Sequence, residues 1–188
     1  MVGDRETDMD FAENAGIRGF QMKTNGSFPR LGFVSRKTSE TDISMMCNLD
    51  GKGNFQINTG LKFFDHMLEQ LSKHSLIDLF ITCKGDLEVD EHHTVEDVGL
   101  ALGEVSSNAL GDKKGVKRYG FLMPMDETLA EIAIDLGGRP NLIFNAEFKR
   151  EMVGDLPTEM VKHFFKSFSD TLKATIHINI KYGENEHH

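Results

Sequence analysis

The chain has 188 residues, and its 30 acidic and 21 basic side chains give a formal net charge of −9 at pH 7. This negative charge argues against nucleic acid as a partner, and no apolar run reaches membrane-spanning length. No signal peptide pattern is present, and two cysteines, Cys47 and Cys83, are too few for a disulfide framework. We therefore expect a soluble cytoplasmic protein with a hydrophobic core.

The first thirty residues differ in pattern from the rest. Asp4 and Asp8, followed by Ala12 and Gly16, resemble the last acidic motif of haloacid-dehalogenase-type phosphatases. In that family, paired aspartates help to hold Mg²⁺, but the aspartate nucleophile of an early strand is absent here. The resemblance implies that residues 1–30 are the C-terminal remnant of a phosphatase domain plus a linker, which includes the turn-forming segment 23–29.

Strands and helices alternate over the remaining domain, residues 31–188. Strands are predicted at about 41–50, 53–58, 77–84, 128–136, 141–148 and 174–182. Helices are predicted at about 62–74, 94–110 and 157–171. Thr94 is predicted to cap the second helix, with Asp97 where a capping box usually has Glu. This alternation indicates an α+β fold in which helices are backed by sheet.

An internal repeat divides this domain into two copies, at about 36–115 and 118–188. The segment Glu40–Gly51 aligns with Glu127–Gly138, and both read as a strand followed by a turn. Histidines occupy equivalent places in the two copies: His66, His92 and His93 in the first, and His163, His187 and His188 in the second. The repeat predicts two tandem copies of a small β-sheet and two-helix unit, with pseudo-symmetric metal sites between the copies.

The two histidine pairs indicate metal chemistry, because imidazole is a preferred ligand of Zn, Mn, Fe, Co and Ni. On a helix, Glu96 lies on the same face as one imidazole of the first pair, so the two can share an ion. The neighbouring imidazole is rotated by roughly 100° and can serve a second ion. For the terminal pair His187 and His188 alone, a tag remnant is an equally good interpretation.

Six motifs in order resemble imidazoleglycerol-phosphate dehydratase, from about Arg36 to His188. They are TGLKFFDHML (59–68), KGDLEVDEHHTVEDVG (84–99), ALGDK (109–113), RYG (118–120), PMDE (124–127) and GGRP (137–140). The resemblance implies a fold like domain 2 of ribosomal protein S5. It also implies a manganese-dependent hydro-lyase of histidine biosynthesis that converts imidazole-glycerol phosphate to imidazole-acetol phosphate and water. The order of motifs further resembles a bifunctional protein with histidinol-phosphate phosphatase ahead of the dehydratase, Mg²⁺ serving the phosphatase portion.

The same resemblance implies the roles of individual residues. The ligands of two Mn²⁺ ions per active site would be His66, His92, His93, Glu96, His163, His187 and His188. Substrate contacts would come from Glu40, His66, His92, His93, Arg118 and Arg139, with the arginines suited to phosphate. Glu40 and Glu96 are the candidates for proton transfer.

Simpler interpretations exist for several residues outside the paired histidines. Glu40 would then be an exposed charge at a strand end, Arg118 a solvated surface charge, and Arg139 a turn residue before a proline. His74 fits a helix end favoured by the dipole, and His177 alternates with strand isoleucines and is not expected to be a ligand.

The resemblance implies that the family's last helix and the counterpart of Glu96 are missing after His188. The 188 residues alone are therefore expected to be inactive and to expose apolar sheet surface. The family implies trimers assembled into a larger shell, with active sites between subunits. The alternatives are a non-catalytic metal-binding module, a phosphatase based on Asp4 and Asp8, and an inert gene fragment.

Overall fold

The computed structural model describes residues 29–113 and 116–188. The expected phosphatase remnant, with Asp4 and Asp8, lies outside the described residues, so its assignment stays a prediction. No helix in the two described ranges combines the length and the hydropathy that a membrane crossing requires.

The first half of the fold is a four-stranded sheet with two helices. Its elements are β1 (Leu31–Lys37), β2 (Thr41–Asn48), β3 (Phe55–Asn58), α1 (Lys62–Ser75), β4 (Asp78–Gly85) and α2 (His92–Leu110). The strand order is β1-β2-β4-β3, in which only β3 and β4 run parallel.

The second half repeats this arrangement. Its elements are β5 (Tyr119–Met125), β6 (Thr128–Asp135), β7 (Asn141–Asn145), β8 (Met152–Val153), β9 (Leu156–Pro157), α3 (Glu159–Leu172) and β10 (Thr175–Tyr182). The order β5-β6-β10-β7 again has one parallel pair, β7 with β10, while β8 and β9 form a separate hairpin. The predicted α+β class and the predicted duplication are both confirmed.

Two strands of the four-stranded sheets and the short hairpin of β8 and β9 were missed by the sequence patterns, and one helix starts earlier than predicted. The strand β5 contains Gly120 and Pro124, which disfavour a strand but are tolerated at the edge of a sheet. The other missed strand, β1, contains Gly32, where a Cβ would lie 2.1 Å from the carbonyl oxygen of Val105, so the glycine permits close approach of α2.

The prediction that Thr94 caps α2 is wrong. The helix begins at His92, and Thr94 is fully buried within its first turn. The carboxylate of Asp90 instead accepts a hydrogen bond of 2.9 Å from the backbone N–H of His92. Since the chain turns before the histidine pair, both imidazoles belong to the helix.

The main core lies between the first sheet and α2. Ile43, Met45 and Ile81 of the sheet are buried against Val98 and Val105 of the helix. A smaller cluster in the second half includes Leu172, Ala174, Ile176 and Ile178. The strand β5 carries exposed apolar side chains, including Phe121 and Leu122.

The helix α2 also packs closely against α3, and two glycines allow this contact. A Cβ on Gly99 would lie 3.0 Å from the carbonyl oxygen of Phe164, and one on Gly103 would lie 2.6 Å from that of Phe168. Gly103 follows Gly99 by four residues, and Phe168 follows Phe164 by four residues. The two helices therefore run in the same direction. The first turn of α2 is thereby placed beside the start of α3.

A carboxylate from the second half caps α1. The backbone N–H groups of Lys62 and Phe63 donate to Asp155, in the turn of the β8-β9 hairpin, at 2.6 and 2.8 Å. We expect Asp155→Ala to lower the free energy of unfolding by about 1 kcal/mol, because it leaves two helix N–H groups without this acceptor. Denaturant unfolding measures the change, with Asp170→Ala, an exposed carboxylate paired to Lys166, as control. Equal effects of the two substitutions would contradict the capping role.

Candidate metal centre

The first histidine pair opens α2, and its two imidazoles diverge as helix geometry requires. The ring centroids of His92 and His93 are 5.9 Å apart and their planes are inclined by 79°. His92 faces Glu96 one turn later, whereas His93 faces Asp86 at the end of β4. The two imidazoles of the pair therefore point in different directions and contact different partners.

His92, Glu96 and His163 form the first cluster. Oε2 of Glu96 lies 3.6 Å from Nε2 of His92 and 3.6 Å from Nε2 of His163. All three ligand atoms lie within 4.8 Å of one another. Two imidazole nitrogens and a carboxylate oxygen are a donor set that suits a divalent transition metal.

An unpartnered atom in the first cluster supports a cation. Nε2 of His163 is buried and has no hydrogen-bond partner among the described residues. A buried polar atom without a partner costs free energy unless something else satisfies it. A metal ion held between His163, His92 and Glu96 would satisfy it. These residues therefore fit a divalent transition-metal ion.

The second cluster contains His66, His187 and His188. The imidazoles of His66 and His187 have their centroids 6.0 Å apart, and Phe63 packs edge-on against His187 at 5.4 Å. Nδ1 of His188 lies 3.0 Å from Oε2 of Glu127, and its Nε2 lies 3.7 Å from Oδ2 of Asp126.

Each cluster combines the two halves of the fold. The first takes His92 and Glu96 from α2 in the first half and His163 from α3 in the second. The second takes its pair from the segment after β10 and His66 from α1 in the first half. Six of the seven predicted ligand residues thus lie in two related groups, while His93 faces Asp86 outside both.

Glu40 lies close to the first histidine pair. Its carboxylate accepts a 2.6 Å hydrogen bond from Ser39 Oγ, which lowers its pKa, and the nearby His93 lowers that pKa further. Glu40 is therefore ionised at neutral pH and able to accept a proton. In the repeat, its counterpart is Glu127, which lies beside His188.

Comparison with known proteins identifies this arrangement. The family model for imidazoleglycerol-phosphate dehydratase matches residues 59–188. The chain belongs to the imidazoleglycerol-phosphate dehydratase family. The crystal structure of imidazoleglycerol-phosphate dehydratase from Staphylococcus aureus subsp. aureus N315 is similar, with a TM-score of 0.74 and 35% identity. That match covers 84% of this chain and 87% of the other.

Curated relatives of this dehydratase-family chain are longer. The histidine biosynthesis bifunctional protein HisB of Stenotrophomonas maltophilia (strain R551-3) is 51% identical, over 100% of this chain but 57% of the relative. The protein of the same name from Spirosoma linguale is 58% identical, over 85% of this chain and 41% of the relative. The chain therefore spans about half the length of the curated relatives it matches.

Two predicted substrate residues of the dehydratase family lie apart from both clusters. Nε of Arg118 is 3.0 Å from Oδ2 of Asp135, and the side chain is 77% exposed. Arg139 is exposed and lies in the turn before β7, with its carbonyl oxygen accepting from Thr175 Oγ1. His74 and His177 are also exposed, and neither belongs to the first cluster or to the group of Asp126, Glu127 and His188, the two sets of close metal-binding side chains found among the described residues.

Two buried carboxylates next to the candidate ligands were not singled out in the sequence as residues that position the site. Asp97, which follows Glu96, accepts hydrogen bonds from Thr41 Oγ1 and, at 3.0 Å, from the guanidinium of Arg36. It ties the second turn of α2 to β1 and β2. Asp65, which precedes His66, accepts two bonds of 2.7 Å from the backbone N–H and hydroxyl of Thr59. Their positions beside ligands inside the family motifs are the signal that could have found them.

Proposed function

We propose that the chain is the dehydratase part of a histidine-biosynthetic enzyme that converts imidazole-glycerol phosphate to imidazole-acetol phosphate and water. The observation that carries this proposal is the convergence of His92, Glu96 and His163, from both halves, within 4.8 Å. Family membership supplies the reaction class. The longer relatives, named histidine biosynthesis bifunctional protein, support a parent protein with a second function. From the resemblance of residues 1–30, we propose that this second part is a histidinol-phosphate phosphatase served by Mg²⁺.

The proposed cofactor is Mn²⁺, two ions per active site. His92, Glu96 and His163 would hold one ion, while His66, His187, His188 and His93 are available for the other across an assembly. When bound, such ions supply positive charge that stabilises the substrate's imidazole ring after it loses a proton.

The chain's own residues then move protons and hold the phosphate. Glu40, ionised beside the first histidine pair, is the proposed group that transfers a proton at carbon, and Glu96 is the second candidate. Arg118 and Arg139 would bind the phosphate, because a guanidinium matches its geometry. Since both arginines lie away from the clusters in one chain, we propose that they act on a site shared between subunits.

The proposed assembly is a homo-oligomer of trimers with active sites between subunits, located in the cytoplasm. We also propose that these 188 residues alone turn over little substrate.

Titration of Mn²⁺ with and without imidazole-glycerol phosphate tests the function by binding rather than turnover. We expect each ligand to raise the affinity for the other by the same factor, because coupling free energy is reciprocal. A non-catalytic metal-binding module would bind Mn²⁺ with no such coupling, and that result would contradict the proposal. Glycerol phosphate, which lacks the imidazole, is the matched control ligand and should leave Mn²⁺ affinity unchanged.

A further inference from the structure

We propose that Asp86 and Glu127 are matched positioning residues, each taking the Nδ1 proton of the second histidine in its pair. Nε2 of His93 and of His188 is thereby left as the atom that binds a cation. The inference rests on the proposed metal function but concerns a different property, the position of a proton on each imidazole.

The contact in the first half is between Asp86 and His93. Asp86 follows β4 directly, and its Oδ2 lies 3.0 Å from Nδ1 of His93. An ionised carboxylate can only accept a hydrogen bond, so Nδ1 must carry the proton. The other oxygen, Oδ1, is buried and has no hydrogen-bond partner among the described residues, so no competing partner there pulls the carboxylate away from His93.

The contact in the second half is between Glu127 and His188. Oε2 of Glu127 lies 3.0 Å from Nδ1 of His188. Its other oxygen, Oε1, accepts a bond of 2.8 Å from the backbone N–H of Asn185. Glu127 therefore fixes both the imidazole and the segment that carries it.

The two halves reach the same contact from different elements, which argues that the contact itself is required. Asp86 comes from the end of β4, whereas Glu127 comes from the turn before β6. In the repeat, the counterpart of Glu127 is Glu40, whose carboxylate bonds to Ser39 rather than to His93. Because Asp86 orients His93, Glu40 remains available for proton transfer, while Glu127 is committed to His188.

The physical effect is on the tautomer of each imidazole. A neutral histidine carries its proton on one ring nitrogen, and the hydrogen bond made by that nitrogen determines which one it is. A carboxylate on Nδ1 directs the lone pair of Nε2 outwards and raises its basicity. Loss of such a partner typically lowers metal affinity by about 10 to 100-fold.

The test determines which ring nitrogen carries the proton, by NMR of metal-free protein labelled with ¹⁵N-histidine. The pH is kept well above the pKa of imidazole. We expect the proton on Nδ1 of His93 in the wild type and a shift towards Nε2 in Asp86→Ala. Asp86→Asn keeps an oxygen that can accept from Nδ1 and should retain the wild-type tautomer. Glu88→Gln removes an exposed carboxylate of the same turn and is the charge control.

The same measurement applies to His188, with Glu127→Ala as the test and Glu184→Gln, which removes an exposed carboxylate of the same segment, as the control. In parallel, Mn²⁺ affinity should fall about 10 to 100-fold in the alanine variants and remain unchanged in the controls. A wild-type proton on Nε2, or a tautomer unaffected by Asp86→Ala and Glu127→Ala, would overturn the inference. A chain with the expected tautomers that binds no Mn²⁺ would contradict the proposed function and leave the assignment of the protons standing.

Discussion

His163→Ala is expected to lower the affinity for Mn²⁺ by more than about 100-fold, beyond the loss typical of a residue that only orients a ligand. The reason is that Nε2 of His163 is the donor from the second half, 3.6 Å from the Glu96 carboxylate. Without it, His92 and Glu96 remain as two donors on one exposed helix turn. The proposed dehydratase activity should fall with Mn²⁺ occupancy.

The matched control is His177→Ala, which removes an exposed imidazole on β10 outside both clusters. Isothermal titration with Mn²⁺ should give the wild-type affinity for this variant. Equal affinities for His163→Ala and the wild type would contradict the assignment of His163. Circular dichroism of each variant separates loss of a ligand from loss of the fold.

Gly103→Ala is expected to lower the free energy of unfolding by about 1–3 kcal/mol, as overpacking of a tight interior does. The added methyl group would meet Thr171 Oγ1 at 2.1 Å and the Phe168 carbonyl oxygen at 2.6 Å, so the two helices must separate. At an exposed helical site the same substitution would raise the free energy of unfolding by about 1 kcal/mol. The tight packing around Gly103 therefore turns a stabilising substitution into a destabilising one. Denaturant unfolding measures the difference.

Mn²⁺ affinity should fall along with stability in Gly103→Ala. His92 and Glu96 lie on α2 and His163 lies on α3, so helix separation lengthens the distances within the first cluster. The control is Gly120→Ala in β5, where a Cβ would meet its nearest neighbouring atom, the Ile132 carbonyl oxygen, at 3.7 Å. A stability equal to or above the wild type for Gly103→Ala would show that the helices are not in close contact there.

Much of the fold follows from sequence periodicity, but the partners of each element do not. The apolar pattern predicts α1, α2 and α3 to within a few residues, because each helix has one buried face. The edge strand β5 was missed because Gly120 and Pro124 interrupt its pattern, and only pairing with β6 makes it a strand. Non-local pairing of this kind leaves no local signal.

The residues of the candidate site could likewise be predicted from the sequence, but their partners could not. The two histidine pairs and the helix histidines stand out in the sequence, and the repeat suggests sites formed between the copies. The sequence does not indicate that His163 meets His92 while His66 meets His187, since that depends on helix packing across the halves. The carboxylates of Asp86 and Glu127 were also unpredictable as partners, because the first comes from a strand end and the second from a hairpin turn.

The most direct test of the central claim is anomalous diffraction from crystals soaked with Mn²⁺. The duplicated fold predicts an anomalous peak between Nε2 of His92, Oε2 of Glu96 and Nε2 of His163, the three atoms that the two halves bring together. Manganese bound only elsewhere, with these three side chains free of metal, would contradict the claim that the halves share one ion.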